Sequence, residues 1–156
     1  YVEAFYSGKV LLPANQNPTP WIPVLSGSGN DNVDLLAQAI QKGRERGLKV
    51  YAWMFGMNYG ANYLRRFDRQ PTIARNGLGQ TSLTANVIGG PYSPQARQDY
   101  SVLVSAIASR KPDGMLIDYI RYPRGYGGAS VASKVQDLWI YGEASQQMLL
   151  QRARNY

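Results

Sequence analysis

Pro112-Asp113-Gly114-Met115-Leu116-Ile117-Asp118-Tyr119-Ile120-Arg121-Tyr122-Pro123 is the stretch on which the reading of this chain turns. A Pro-Asp-Gly turn releases the chain into an apolar run that ends in a carboxylate, and Tyr, Ile, Arg and Tyr follow. Apolar residues without polar alternation, bounded by a turn, predict a strand over 115–119 buried on both faces, as in a parallel sheet. Polar residues at the C-terminal ends of such strands line the active-site mouth of an α/β barrel. Asp118 is expected at one of these ends, where its charge has to meet a partner, a substrate or water. Two readings of it stand: a structural ion pair with Arg121, or a carboxylate that does chemistry.

Working outward, Ser93-Pro94 reads as a helix cap followed by proline at the first helical position. Tyr100, Leu103, Val104 and Ile107 supply that helix's apolar face. Further upstream, the apolar run 48–55 reads as a buried strand. Before it, Val33, Leu36, Ala37 and Ile40 recur at helical spacing, with Asn30 or Asp31 as the cap and Arg44, Arg46 and Gly47 at the close. The opening residues 1–6 are aromatic and β-branched and predict a strand. Pro-rich 13–32 and Gly/Asn-rich 56–92 read as loops, the second long enough to suit a lid or binding loop. A last helix is expected to carry Val131, Val135, Leu138, Trp139 and Met148.

Strands alternating with helices argue for βαβ units and a parallel sheet. Three such units fall short of a closed barrel of about 250 residues and of the usual five or more strands of an open doubly wound sheet. The chain opens on Tyr1 inside a strand pattern, with neither Met nor a leader before it. The expectation is therefore an α/β fold: a partial (β/α)8 (TIM) barrel of about three βα units, residues 1–156 being a fragment of a single domain.

Composition narrows the chemistry. The 156 residues contain no cysteine and no histidine, which excludes a thiol nucleophile, a Ser-His-Asp triad and an ordinary zinc site. No metal or organic cofactor is implied. Catalysis would rest on carboxylates, Lys, Tyr or Ser. The net charge of +7, from 17 basic and 10 acidic residues, raises the question of an anionic partner. The basic residues are scattered, however, without the interleaved aromatics of a nucleic-acid module, so no nucleic acid is expected. No apolar run approaches the roughly 20 residues of a transmembrane helix.

The Asp-Gly-Met-Leu-Ile-Asp-Tyr-Ile-Arg-Tyr-Pro segment resembles the signature strand of the family 10 glycosyl-hydrolase-like bacterial proteins. Leu35-Leu36-Ala37-Gln38-Ala39-Ile40, leading to Arg46-Gly47-Leu48-Lys49-Val50-Tyr51-Ala52-Trp53, is similar to that family's preceding helix and Ala-Trp strand. Pro91-Tyr92-Ser93-Pro94, with Arg97 and Tyr100, is similar to the segment that opens its next helix. The likeness covers most of 33–123. After Ala52-Trp53, where the family often carries a polar motif with Asn-Pro, this chain has Met54-Phe55-Gly56-Met57-Asn58-Tyr59.

The resemblance implies a (β/α)8 barrel and a glycoside hydrolase acting on a bacterial cell-wall or envelope polysaccharide, peptidoglycan among them, in the periplasm or cell envelope. A non-catalytic glycan- or protein-binding member of the same fold is the alternative. Glycoside hydrolysis uses two carboxylates across the scissile bond. Asp118 is the expected catalytic one; its partner is either Glu3 or a residue beyond Tyr156, the latter favoured because Glu3 lies early in its strand. Trp53, Asn58, Tyr59, Tyr119, Arg121 and Tyr122 are the expected substrate-binding residues, rings stacking on sugars and Arg121 holding an anionic substituent. Arg65, Arg66 and Arg69 lie in the long loop, which is read either as closing over a glycan or as surface cover.

Overall fold

The computed structural model describes residues 1–6, 8–19, 32–81, 92–120 and 134–155. Two compact units divide the chain: Tyr1–Gly56 with Gln98–Ile120, and Met57–Arg97 with Arg121–Tyr156.

The first unit is built on a four-stranded sheet of β1 (Val2–Tyr6), β2 (Lys9–Val10), β3 (Tyr51–Phe55) and β4 (Gly114–Asp118), in the order β2-β1-β3-β4. β3 pairs in parallel with β1 on one side and with β4 on the other, as the alternation of strands and helices predicts. β2, however, returns antiparallel along β1, with Phe5 opposite Val10 and Tyr6 opposite Lys9. Gly8, at φ 73°, makes the reversal, a backbone conformation that glycine adopts without penalty. This short return corrects the barrel expectation. A barrel closes only when each strand offers both edges to parallel neighbours, and here the far edge of β1 is taken by an antiparallel one. The architecture is a small α/β domain with one open, mixed sheet, not a partial (β/α)8 barrel.

Two helices of this unit, α1 (Leu35–Arg44) and α3 (Pro94–Ala108, entering the unit at Gln98), bury their apolar stripes with the sheet. Leu36 and Ile40 of α1 join Leu103 and Ile107 of α3, Ala4 and Phe5 of β1, and Ala52 and Met54 of β3 in one core cluster. Burial of each Leu, Ile, Phe or Met among them contributes about 1.5–3 kcal/mol. Asp34 caps α1, its Oδ1 accepting the Ala37 amide at 2.9 Å. The expected caps Asn30 and Asp31 lie outside the described residues. Gly47, at φ 68°, ends the helix as expected, with the Leu48 amide returning to the Gly43 carbonyl at 2.9 Å. Leu48 is exposed, and β3 begins only at Tyr51.

β1 is not straight. Glu3 lies opposite Trp53 and Phe5 opposite Met54, so the strand carries one extra residue between these pairs, a bulge.

The second unit replaces the expected long loop. Helix α2 (Gly60–Leu64) and a 3-10 turn over Phe67–Thr72 bury Tyr63, Thr72, Ile73 and Ala74. Asn76 shapes the following turn by accepting the Leu78 and Gln80 amides on Oδ1, at 3.1 and 2.9 Å. The backbone then meets the C-terminal stretch: the Gly77 amide donates to Gln136 and the Tyr141 amide to Arg75. The last helix, α4, runs over Glu143–Ala153, later than the apolar spacing predicts. Val135 and Leu138 sit instead in and beside a 3-10 turn, Val135–Asp137, and Gly142 caps α4. Gly142 packs close to its neighbours, since a Cβ there would stand 2.6 Å from the Ile73 carbonyl oxygen. Val131 lies outside the described residues.

Candidate functional site

Side chains alternate faces along a strand, so the register of three parallel strands lays out a grid. One face of the first unit's sheet carries Ala52, Met54 and Met115 toward the helical core. On the opposite face, three rungs cross the sheet. The lowest holds Tyr1, Tyr51 and Gly114; the Tyr1 and Tyr51 rings lie 5.4 Å apart. Gly114 leaves room for the neighbouring ring, because a Cβ there would stand 2.6 Å from Tyr51 Cε1. The middle rung holds Glu3, Trp53 and Leu116. The uppermost pairs Phe55 with Asp118, and the Tyr6 ring lies edge-on to Phe55 at 4.7 Å.

Asp118 ends β4, as its sequence predicts, and is partly buried. Its two carboxylate oxygens have different donors. Oδ2 accepts the indole N–H of Trp53 at 3.2 Å, and Oδ1 accepts the Tyr119 amide at 2.6 Å. The backbone also anchors this strand end, with the Gly56 amide donating to the Asp118 carbonyl at 2.7 Å. Gly56 packs closely there: a Cβ would stand 2.5 Å from Ile120 Cγ2.

Tyr119 departs from strand geometry at φ 51°, the left-handed region, which costs a non-glycine residue on the order of 1–2 kcal/mol. In that conformation its ring stacks on Phe55 at 4.0 Å, with 23° between the planes. Phe55 also meets Trp53 edge-on at 5.9 Å. Phe55 is thus buried beneath other rings, while Tyr6 and Tyr119 are each 39% exposed. The result is a ring cluster around Phe55 with one oriented carboxylate beside it, and two of its phenol rings are partly open to solvent. Flat partly exposed rings beside a polar acceptor suit a ligand with apolar faces and hydroxyl edges.

Three of the expected site residues, Trp53, Asp118 and Tyr119, are therefore brought together. Trp53 contributes its N–H to Asp118, a role that stacking on a sugar does not anticipate. Asn58 and Tyr59 belong to the second unit and are buried there. Asn58 Oδ1 accepts the Gly60 amide at 3.1 Å, and the Tyr59 hydroxyl donates to the Ala96 carbonyl at 2.8 Å beside the Tyr63 ring. Both shape that unit's interior. Arg121 and Tyr122 lie outside the described residues, and with them the expected Asp118–Arg121 pair. In the basic segment, Arg66 and Arg69 close on Asp68 at 3.0 and 2.6 Å. Hydrogen bonding from Arg66, with the charge of Arg69 alongside, holds the Asp68 carboxyl below the usual range.

Sequence reasoning overlooked Tyr6, Phe55 and Tyr51 as members of this face. The signal was present in the alternation Tyr51, Trp53, Phe55, every second residue aromatic. Among the described residues no group of three or more His, Cys, Asp or Glu side chains is placed to hold a metal ion. No described helix is long and apolar enough to cross a membrane. Comparison with protein-family models, with curated proteins and with solved structures gives no match for this chain.

Proposed function

We propose that the ring-lined face of the first unit binds a polysaccharide of the bacterial wall or envelope and that Asp118 takes part in hydrolysing its glycosidic bond. The observation that carries this reading is the carboxylate at the end of β4, held on both oxygens by N–H donors, with the half-exposed Tyr119 ring next to it in sequence and the Tyr6 ring on the same face beyond Phe55. A carboxylate so fixed needs no reorganisation to accept a proton or meet a sugar carbon, and preorganisation of this kind lowers a barrier. The rings supply pyranose-stacking surface, while the likeness of 33–123 to glycosyl-hydrolase-like bacterial proteins supplies the reaction class. Work on such a substrate belongs to the periplasm or envelope.

The test uses the full chain and purified peptidoglycan glycan strands, with Asp118→Asn alongside. The parent is expected to release sugar, and the variant to lose at least about 100-fold in rate, the lower end for removing an acid–base group, while circular dichroism shows it still folded at the assay temperature. Binding of the strands by both proteins without release by either establishes a non-catalytic glycan-binding module and refutes the hydrolase reading. Absence of both binding and release refutes the carbohydrate reading altogether.

A further inference from the structure

Most glycoside hydrolysis uses a pair of carboxyl groups, and the register of the sheet puts a second one on the face of Asp118. Glu3 pairs with Trp53, and Trp53 with Leu116, so Glu3 projects from the face that carries Asp118. The Tyr1–Tyr51 ring contact below it and the Tyr6–Phe55 contact above it place their residues on that face too. Glu3 is exposed and stands across the indole that holds Asp118.

Strands lie about 4.8 Å apart and rise about 3.3 Å per residue, so two strands across and two residues along separate the two Cα atoms by roughly 12 Å. A Cα separation of that size suits the about 6.5–9.5 Å carboxyl spacing of an inverting pair better than the about 5 Å of a retaining one. The early position of Glu3 in its strand is thus no obstacle, since an inverting site needs that gap to hold its water.

Resting on the hydrolase reading above, we infer that Glu3 is the second catalytic carboxyl and that the site inverts the anomeric centre. Asp118, whose oxygens already accept N–H bonds, takes a proton from water. The water oxygen bonds to the anomeric carbon as the glycosidic C–O bond breaks, and the departing oxygen receives the proton of Glu3. Charge and atoms balance, and no further reactant is needed.

The experiment compares the full chain with Glu3→Gln and Asp118→Asn on two probes: peptidoglycan glycan strands and a 2,4-dinitrophenyl β-glycoside of N-acetylglucosamine. Glu3→Gln is expected to lower the rate on strands by about 100-fold or more. On the dinitrophenyl glycoside, whose leaving group needs no proton, the loss shrinks to a few-fold. A merely structural role would depress both probes alike. Proton NMR of the first product formed is expected to show the inverted anomer. A Glu3→Gln rate within threefold of the parent on strands, with Asp118→Asn inactive, overturns the inference and leaves the Asp118 reading intact, as does a product of retained configuration. A parent inactive on both probes overturns the two readings together.

Discussion

Replacing Asp34 by alanine tests how one side chain ties α1 to the rest of the first unit. Its Oδ1 caps the helix at the Ala37 amide, and its Oδ2 accepts Arg110 Nε at 3.0 Å. The two side chains are only 23% and 12% exposed, so the pair is shielded more than a surface bridge. Arg110 in turn reaches the Ala106 carbonyl at 2.9 Å and Gln16 at 2.6 Å, joining three segments at one guanidinium. Losing a cap costs about 1 kcal/mol. Losing a partly buried hydrogen bond to a charged group costs about 1.5–3 kcal/mol. Asp34→Ala should therefore destabilise by roughly 2.5–4 kcal/mol, the sum of those two terms. With a urea slope of about 1.5 kcal/mol/M this moves the midpoint by about 2 M. Asp34→Asn keeps a good cap and loses the charge, so its midpoint should fall between alanine and parent. Urea unfolding followed by circular dichroism reads all three. An alanine variant within about 0.5 kcal/mol of the parent, the range of an ordinary surface change, refutes the joint role. Equal loss in both variants would show that the cap contributes nothing.

Two further outcomes follow from the same unit. Gly43→Ala gains about 1 kcal/mol of helix propensity, yet it should lower the unfolding midpoint because the new Cβ overlaps Val50 Cγ2; Gly43→Ala with Val50→Ala should recover part of the loss. The Val50 amide, with Arg44 nearby, holds the Asp113 carboxyl below its ordinary range. A depressed folded pKa contributes stability above the unfolded value near 4 that is lost as pH falls through the folded one. The midpoint gap between parent and Asp113→Asn should therefore be wider at pH 7 than at pH 2.5.

Elements carried by local chemistry were legible in the sequence. Ser93-Pro94 opens α3 as expected, the Ser93 hydroxyl accepting the Ala96 amide at 3.2 Å, and Gly47 closes α1. β3 and β4 stood out as apolar runs and β1 as an aromatic and β-branched one, but Leu116 and Ile117 of β4 are exposed where the sequence predicts burial on both faces. β2 did not, because two residues are too few to show a period, and that short strand decides that the sheet is open and mixed. α2 and its neighbouring 3-10 turn hide in a Gly- and Asn-rich stretch with no apolar stripe. Val135, Leu138 and Trp139 mimic helical spacing, but Gly142 sets the start of α4. At the candidate site, Asp118 was visible as a charge ending an apolar strand. Its indole donor was not, since a contact across 65 residues depends on the pairing of β3 with β4.

The single surplus residue in β1 settles which aromatic ring faces water. Counted as a plain zigzag, the strand would send Ala4 inward and Phe5 outward beside Glu3, leaving Tyr6 to press its hydroxyl into the oil of the interior. Because the chain lengthens by one unit between Glu3 and Phe5, the parity reverses: the hydrocarbon ring is fully enclosed and the phenol stands on the side of the acids. A version of this chain lacking residue 4 would keep the same sidedness with a straighter backbone, whereas a second insertion beside it would turn the two rings inside out.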